Sequence, residues 1–153
     1  MPGAPLERRV RATAETDIAA PPDVVYRWAT APDHVIRWVK DLVESRPVGE
    51  GANLEVGARS IEVIKEGGRL LNVPAEVTAL EPGRLVEIRM DSPGGPVTSR
   101  TDIVGTAAGS AVTQSMDAVF TGMRLIPSSM LAKLLARRLD GDLRRLKKLV
   151  ESD

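Results

Sequence analysis

Near the N-terminus the polarity of the chain changes period. Val10, Ala12, Ala14, Thr16 and Ile18 alternate with Arg11, Thr13, Glu15 and Asp17, the period of two expected of a strand with one buried face. Pro21 and Pro22 end that strand. Pro22-Asp23 suits a helix first turn, where a missing N–H costs nothing and a carboxylate faces the positive end of the dipole. Val24, Val25, Trp28 and Ala29 mark a short helix, and Ala31-Pro32-Asp33 repeats the start signal for a second one over His34 to Val39. Six further strands are predicted, over Lys40 to Val48, Ala58 to Lys65, Leu70 to Leu80, Arg84 to Asp91, Val97 to Val104 and Ala111 to Phe120.

Turn chemistry separates these strands: Gly49 to Gly57, Glu66-Gly67-Gly68, Glu81-Pro82-Gly83, Ser92-Pro93-Gly94-Gly95 and Gly105 to Gly109. Connections this short imply an antiparallel meander, because a parallel crossover needs about a dozen residues or more. After Pro127, with Ser128 or Ser129 able to cap, Leu131, Leu134, Leu135, Leu139, Leu143, Leu146, Leu149 and Val150 recur at helical spacing. This is a long amphipathic helix whose leucine stripe is needed to cover the sheet. Gly141 within it marks a possible bend.

Composition narrows the function classes. In 153 residues, 42% are hydrophobic and 27% charged, as in a folded globular protein. One domain over 1–153 is expected, with about residues 1–7 a loose N-terminal extension. Lys plus Arg equal Asp plus Glu at 21 each, so no net field draws in nucleic acid or an anionic membrane. Residues 128–153 hold seven basic against four acidic side chains, which reads as a solvated helix face. The absence of cysteine excludes disulfides, thiolate zinc sites and a cysteine nucleophile, and one histidine excludes a multi-histidine metal site. No cofactor or metal is expected. No apolar run has the length of a signal-peptide core or a spanning helix, so neither export nor integral membrane association is expected, and the expected location is cytoplasmic.

The order strand, two short helices, six-stranded meander and long helix resembles the helix-grip superfamily of START and birch-pollen-allergen-like proteins (SRPBCC), particularly its bacterial polyketide cyclase/dehydrase and lipid-transport-like group. At residue level the resemblance rests on Ile18-Ala19-Ala20-Pro21-Pro22-Asp23-Val24-Val25-Tyr26 entering the first helix and on Trp38 ending the second. It rests also on Glu76 to Leu85 at a hairpin and on Leu143 to Glu151 at the end. The resemblance implies an α+β helix-grip fold: a seven-stranded curved antiparallel sheet and a long C-terminal helix packed over a cavity. These motifs are structural, and no cyclase catalytic constellation aligns with the chain.

Anchoring Ile18 inward predicts an inner wall of Ala12, Ala14, Thr16, Ile61, Val63, Val73, Val77, Val86, Ile88, Met90, Thr101, Ile103, Gln114 and Met116. Apolar lining with a few neutral polar groups suits a ligand pocket; the bland alternative is a filled core. Aromatic content of 3% and the small Ala12, Ala14 and Ala75 favour unfilled space, which Met90, Met116, Met123 and Met130 would line adaptably. The expected ligand contacts are Trp38, Val63, Val73, Ile88, Met90, Thr101, Ile103, Gln114, Met116, Met130 and Leu134. Glu87, Arg89, Arg100, Asp102 and Asp117 are expected on the solvated face; a β-bulge would instead turn Arg100, Asp102 and Asp117 inward. His34, Asp102 and Asp117 are therefore the acid/base candidates.

The expected function is binding or transport of a small hydrophobic or amphipathic molecule. The alternatives are an enzyme of the polyketide cyclase/dehydrase type and a non-catalytic protein-interaction module.

Overall fold

The computed structural model of the protein describes residues 7–49, 53–121 and 126–152; Met123 lies outside them. Strand β1 spans Glu7–Ile18 and is followed by helices α1 (Pro22–Thr30) and α2 (Pro32–Trp38). Strands β2 (Leu42–Pro47), β3 (Arg59–Glu66), β4 (Arg69–Glu81), β5 (Leu85–Ser92), β6 (Gly95–Thr106) and β7 (Gly109–Thr121) then run to helix α3 (Ser128–Glu151). The order is the predicted one. The strand pairs around tight turns run a residue or two longer than the polarity pattern suggests, because ladder bonds continue into the Gly-rich turns.

Prolines divide the helical segment. Ala31 is extended, with φ −72° and ψ 126°, and serves both as the end of α1 and the start of α2. A residue before proline is pushed out of the helical region, so Pro32 breaks what would otherwise be one helix and lets α2 turn across the mouth of the sheet. At the β4–β5 hairpin, Gly83 takes φ 76° and the Arg84 N–H donates to the Glu81 carbonyl at 2.9 Å. Glycine at that position removes the steric penalty of a left-handed backbone.

The seven strands form one antiparallel sheet in the order β1-β7-β6-β5-β4-β3-β2. Strands β2 to β7 are a meander, and β1 closes onto β7 with Glu7 opposite Thr121 and Ile18 opposite Ser110. The β6–β7 register runs unbroken from Val97–Ala118 to Thr106–Gly109. Asp102 and Asp117 consequently stay on the outer face, and no bulge turns them inward. The register shifts lie elsewhere, between Leu42 and Glu44 and between Val77 and Ala79.

The concave face of this curved sheet is gripped by α3, which packs mainly on β1. Ile18, Val25, Trp28, Val86, Ile103, Val112, Leu143 and Leu146 pack together as a buried core within the trough. Leu134 is 52% exposed and Met130 51%, correcting their expected place at the ligand. At about 100° per residue, Leu134 sits roughly 140° around the helix from Leu139 and Met130 about 180°. The apolar stripe is therefore narrower than the run of leucines implies.

Candidate functional site

Beside this core the space between sheet and helices stays open as two adjoining chambers. The first, of about 120 Å³, is walled by Trp38 and Val39 from α2 and its exit, Ile88 and Met90 from β5, Ser99 and Thr101 from β6, Gln114 and Met116 from β7, and Leu139 from α3. The second, of about 200 Å³, lies toward Thr30, Pro32, Ser45, Pro47, Leu54 and Ala58. Ala29, Val35, Glu62, Val86 and Ile88 border both chambers. Apolar walls with a few convergent polar groups are the composition of a small-molecule site.

The polar group at this shared wall is the carboxyl of Glu62, 7% exposed. In β3 it stands opposite Val73 of β4 and Ser45 of β2, and residues directly opposite share a face. Ser60 and Ser45 hydroxyls donate to its Oε1 at 2.9 and 3.1 Å. Its Oε2 is buried and has no partner. Burial pushes the carboxyl above the usual carboxylate range, and the two serine hydrogen bonds only partly oppose this. With Oε1 filled by two donors, a proton taken up by Glu62 resides on Oε2.

A second polar pole crosses the first chamber. Thr101 Oγ1 donates to Gln114 Oε1, and Gln114 Nε2 donates to Ser99 Oγ at 2.8 Å. Ser99 is thereby left with a hydroxyl proton to give, and it borders the chamber. Ser99 on β6 and Glu62 on β3 are three strands apart, about 14 Å measured along the sheet at ~4.8 Å per strand. The two poles are too far apart to meet at a single atom.

The remaining wall is fastened by charge. Asp142, buried in α3, accepts the Lys40 N–H at 3.0 Å and pairs with Arg145. Arg145 Nε also donates to the Trp38 carbonyl at 3.0 Å and Arg138 Nη2 to the Lys40 carbonyl at 2.9 Å. These bonds tie the middle of α3 to the α2–β2 link, where Asp41 holds φ 65°. Trp38 is held from the other side by its Nε1–H to the Trp28 carbonyl, 2.9 Å.

Of the residues expected to touch ligand, Trp38, Ile88, Met90, Thr101, Gln114 and Met116 border the first chamber. Val73 and Ile103 are buried without bordering either chamber. Val63, 6% exposed, faces the other way, opposite Glu44 and Asn72. Its strand presents Ser60, Glu62 and Ile64 to the interior instead of Ile61 and Val63. His34 stacks on Trp28 with ring centroids 4.4 Å apart and borders neither chamber. Asp102 is held by Arg100 Nε at 2.9 Å, and Asp117 lies 3.8 Å from Arg9, both outside the trough. None of the three acid/base candidates reaches the cavity, while Glu62 and Asp142 do. The one sign of Glu62 in the sequence is Ser60-x-Glu62 on the polar parity of a strand, which reads equally well as a solvated face.

A family model described as "Polyketide cyclase / dehydrase and lipid transport" matches residues 9–151. No curated protein sequence matches the chain significantly. Among solved structures, a Staphylococcus aureus protein of unknown function superposes with a TM-score of 0.77 at 11% identity, covering 95% of this chain and 96% of that one. Ara h 8.0201 gives 0.72 at 13% identity, with 95% and 100% covered. The di-domain ARO/CYC StfQ of the steffimycin biosynthetic pathway gives 0.74 at 13% identity. That match covers 94% of this chain and 52% of StfQ, so the chain spans about half of that protein. At these identities the likeness is one of fold.

Proposed function

From the premise that the chain belongs to the polyketide cyclase / dehydrase and lipid transport family, we propose that it binds a small, largely apolar molecule in the divided cavity and holds the ligand's polar group at the Glu62 carboxyl. The observation that carries this reading is the buried carboxyl of Glu62, a residue that borders both chambers and whose Oε2 has no partner. A buried polar atom left without a hydrogen bond costs about 1–3 kcal/mol, a cost a bound ligand removes. Ser99 supplies a donor for an acceptor elsewhere on the ligand, and the apolar walls supply affinity. Open space at the centre of the fold weighs against a module that acts only through its outer surface. Among the described residues no helix is long and apolar enough to cross a membrane.

Native mass spectrometry of protein purified gently from its own host, followed by extraction and identification of small molecules, tests the binding reading. The expected result is one largely apolar compound per chain, absent from a folded Ile88→Trp variant in which indole fills the shared wall. An empty wild-type protein that also fails to take up apolar fluorescent probes would refute it.

A second reading, an enzyme of the cyclase/dehydrase type, is favoured by one feature: a carboxyl of raised proton affinity on a residue that borders the cavity. Carboxyls tuned upward in this way serve as general acids and bases. It requires conversion of the extracted compound or its precursor at a rate that collapses in Glu62→Gln; equal turnover by that variant would remove the reading.

A further inference from the structure

The two buried acids that border the cavity differ in how their charge is met. Asp142 has a cation of its own, Arg145, and a backbone N–H. Glu62 has only two neutral hydroxyls, both on Oε1, and among the described residues no side chain forms an ion pair with it. The other charged groups bordering the chambers are Lys40, Arg138 and Arg59. Arg138 is engaged with the Lys40 carbonyl, and Arg59 pairs with Glu76 at 3.3 Å. A carboxylate taken out of water without a cation is costly enough that it stays protonated or waits for a positive partner.

Resting on the reading of the cavity as a ligand site, we infer that its ligand is an apolar amine whose ammonium group pairs with the Glu62 carboxylate. The position of the carboxyl sets the shape of that ligand. Glu62 borders both chambers, so the ammonium sits at their common wall with an apolar substituent on one side or on both. An apolar cavity of about 150 Å³ holds a benzene ring, and chambers of about 120 and 200 Å³ each hold a group of about that size. Where Glu62 is neutral before binding, the exchange balances as a carboxylic acid plus an ammonium ion giving a carboxylate–ammonium pair plus one proton released to solvent.

The test compares phenylbutylamine with phenylbutanol, matched in shape and differing in charge, by titration calorimetry on the wild-type chain and on Glu62→Gln near neutral pH. The amine is expected to bind wild type about tenfold or more tighter than the alcohol, a difference of about 1.4 kcal/mol per factor of ten. The amide variant is expected to lose that preference, binding amine no more tightly than alcohol. Repeating the amine titration below neutrality in buffers of different ionisation enthalpy should show proton release in wild type and none in the variant. Alcohol binding as tightly as amine to wild type overturns the inference and leaves the ligand-cavity reading standing. Binding of neither probe overturns both.

Discussion

Glu62→Gln should stabilise the protein at alkaline pH and leave it nearly unchanged at acid pH. The amide has the size of the carboxyl, and its oxygen can accept the same two hydroxyl hydrogen bonds from Ser45 and Ser60 that Oε1 accepts now. What it removes is the charge at Oε2. Because the folded-state pKa of Glu62 is raised, the native chain holds this proton more tightly than the unfolded one. Below about pH 4.3, the ordinary glutamate value, both states are protonated and the group is neutral to stability. As pH rises past that value the unfolded chain ionises first, so wild-type stability falls until the folded-state pKa is passed and is constant above it. The amide variant has no such loss. At pH 8 it should exceed wild type by about 1.4 kcal/mol for every tenfold tightening of proton binding on folding, the amide N–H groups being as unpaired as the protonated carboxyl they replace, with each kcal/mol moving Tm by about 2–4 °C in a domain of this size. Urea unfolding at pH 4 and pH 8 reads the difference. A variant no more stable than wild type at pH 8, or equally more stable at both pH values, would refute the reasoning.

Three further substitutions test the placement of α3. Leu139→Ala should cost about 2–5 kcal/mol, as for a buried leucine against a packed wall, whereas Leu134→Ala, on the solvent side, should stay within about 0.5 kcal/mol; denaturant midpoints compare them. Asp142→Ala should cost about 2–3 kcal/mol, since it strands the Lys40 N–H and half-exposed Arg145, and amide exchange should quicken at Lys40 more than in β7.

The architecture was legible because its signals are local and repeated. Period-two polarity in β1, proline pairs before each short helix, and Pro82-Gly83 at a hairpin each encode their own piece of backbone, and they agree with one another. The division of labour along β3 was not. Hydrophobicity alone turns Ile61 and Val63 inward, yet the strand faces the interior with Ser60 and Glu62. A wall that lines an open cavity need not follow the rule that polar residues face water, so the alternation there points the wrong way. The bulges at Leu42/Glu44 and Val77/Ala79 compound this, since each changes the parity of a strand with no glycine or proline at the spot to signal it. The register of β6 and β7 carries no bulge, and there the alternation correctly separates Thr101 and Gln114 from Arg100, Asp102 and Asp117. Leu134 shows a different limit: spacing of three and four admits residues at the margin of a stripe, and only contact with the sheet decides how wide the buried face is.

The proposed function turns on the state of one carboxyl. Carbon-13 NMR of the Glu62 side-chain carboxyl, followed through a pH titration with and without an apolar ligand, reads its burial, its protonation and its contact with ligand together. The expected result is a titration midpoint above the ordinary glutamate value in the free protein, because burial disfavours the charged form, and a shift of the resonance when ligand enters. An ordinary midpoint, untouched by a ligand that demonstrably binds, would contradict the proposed function.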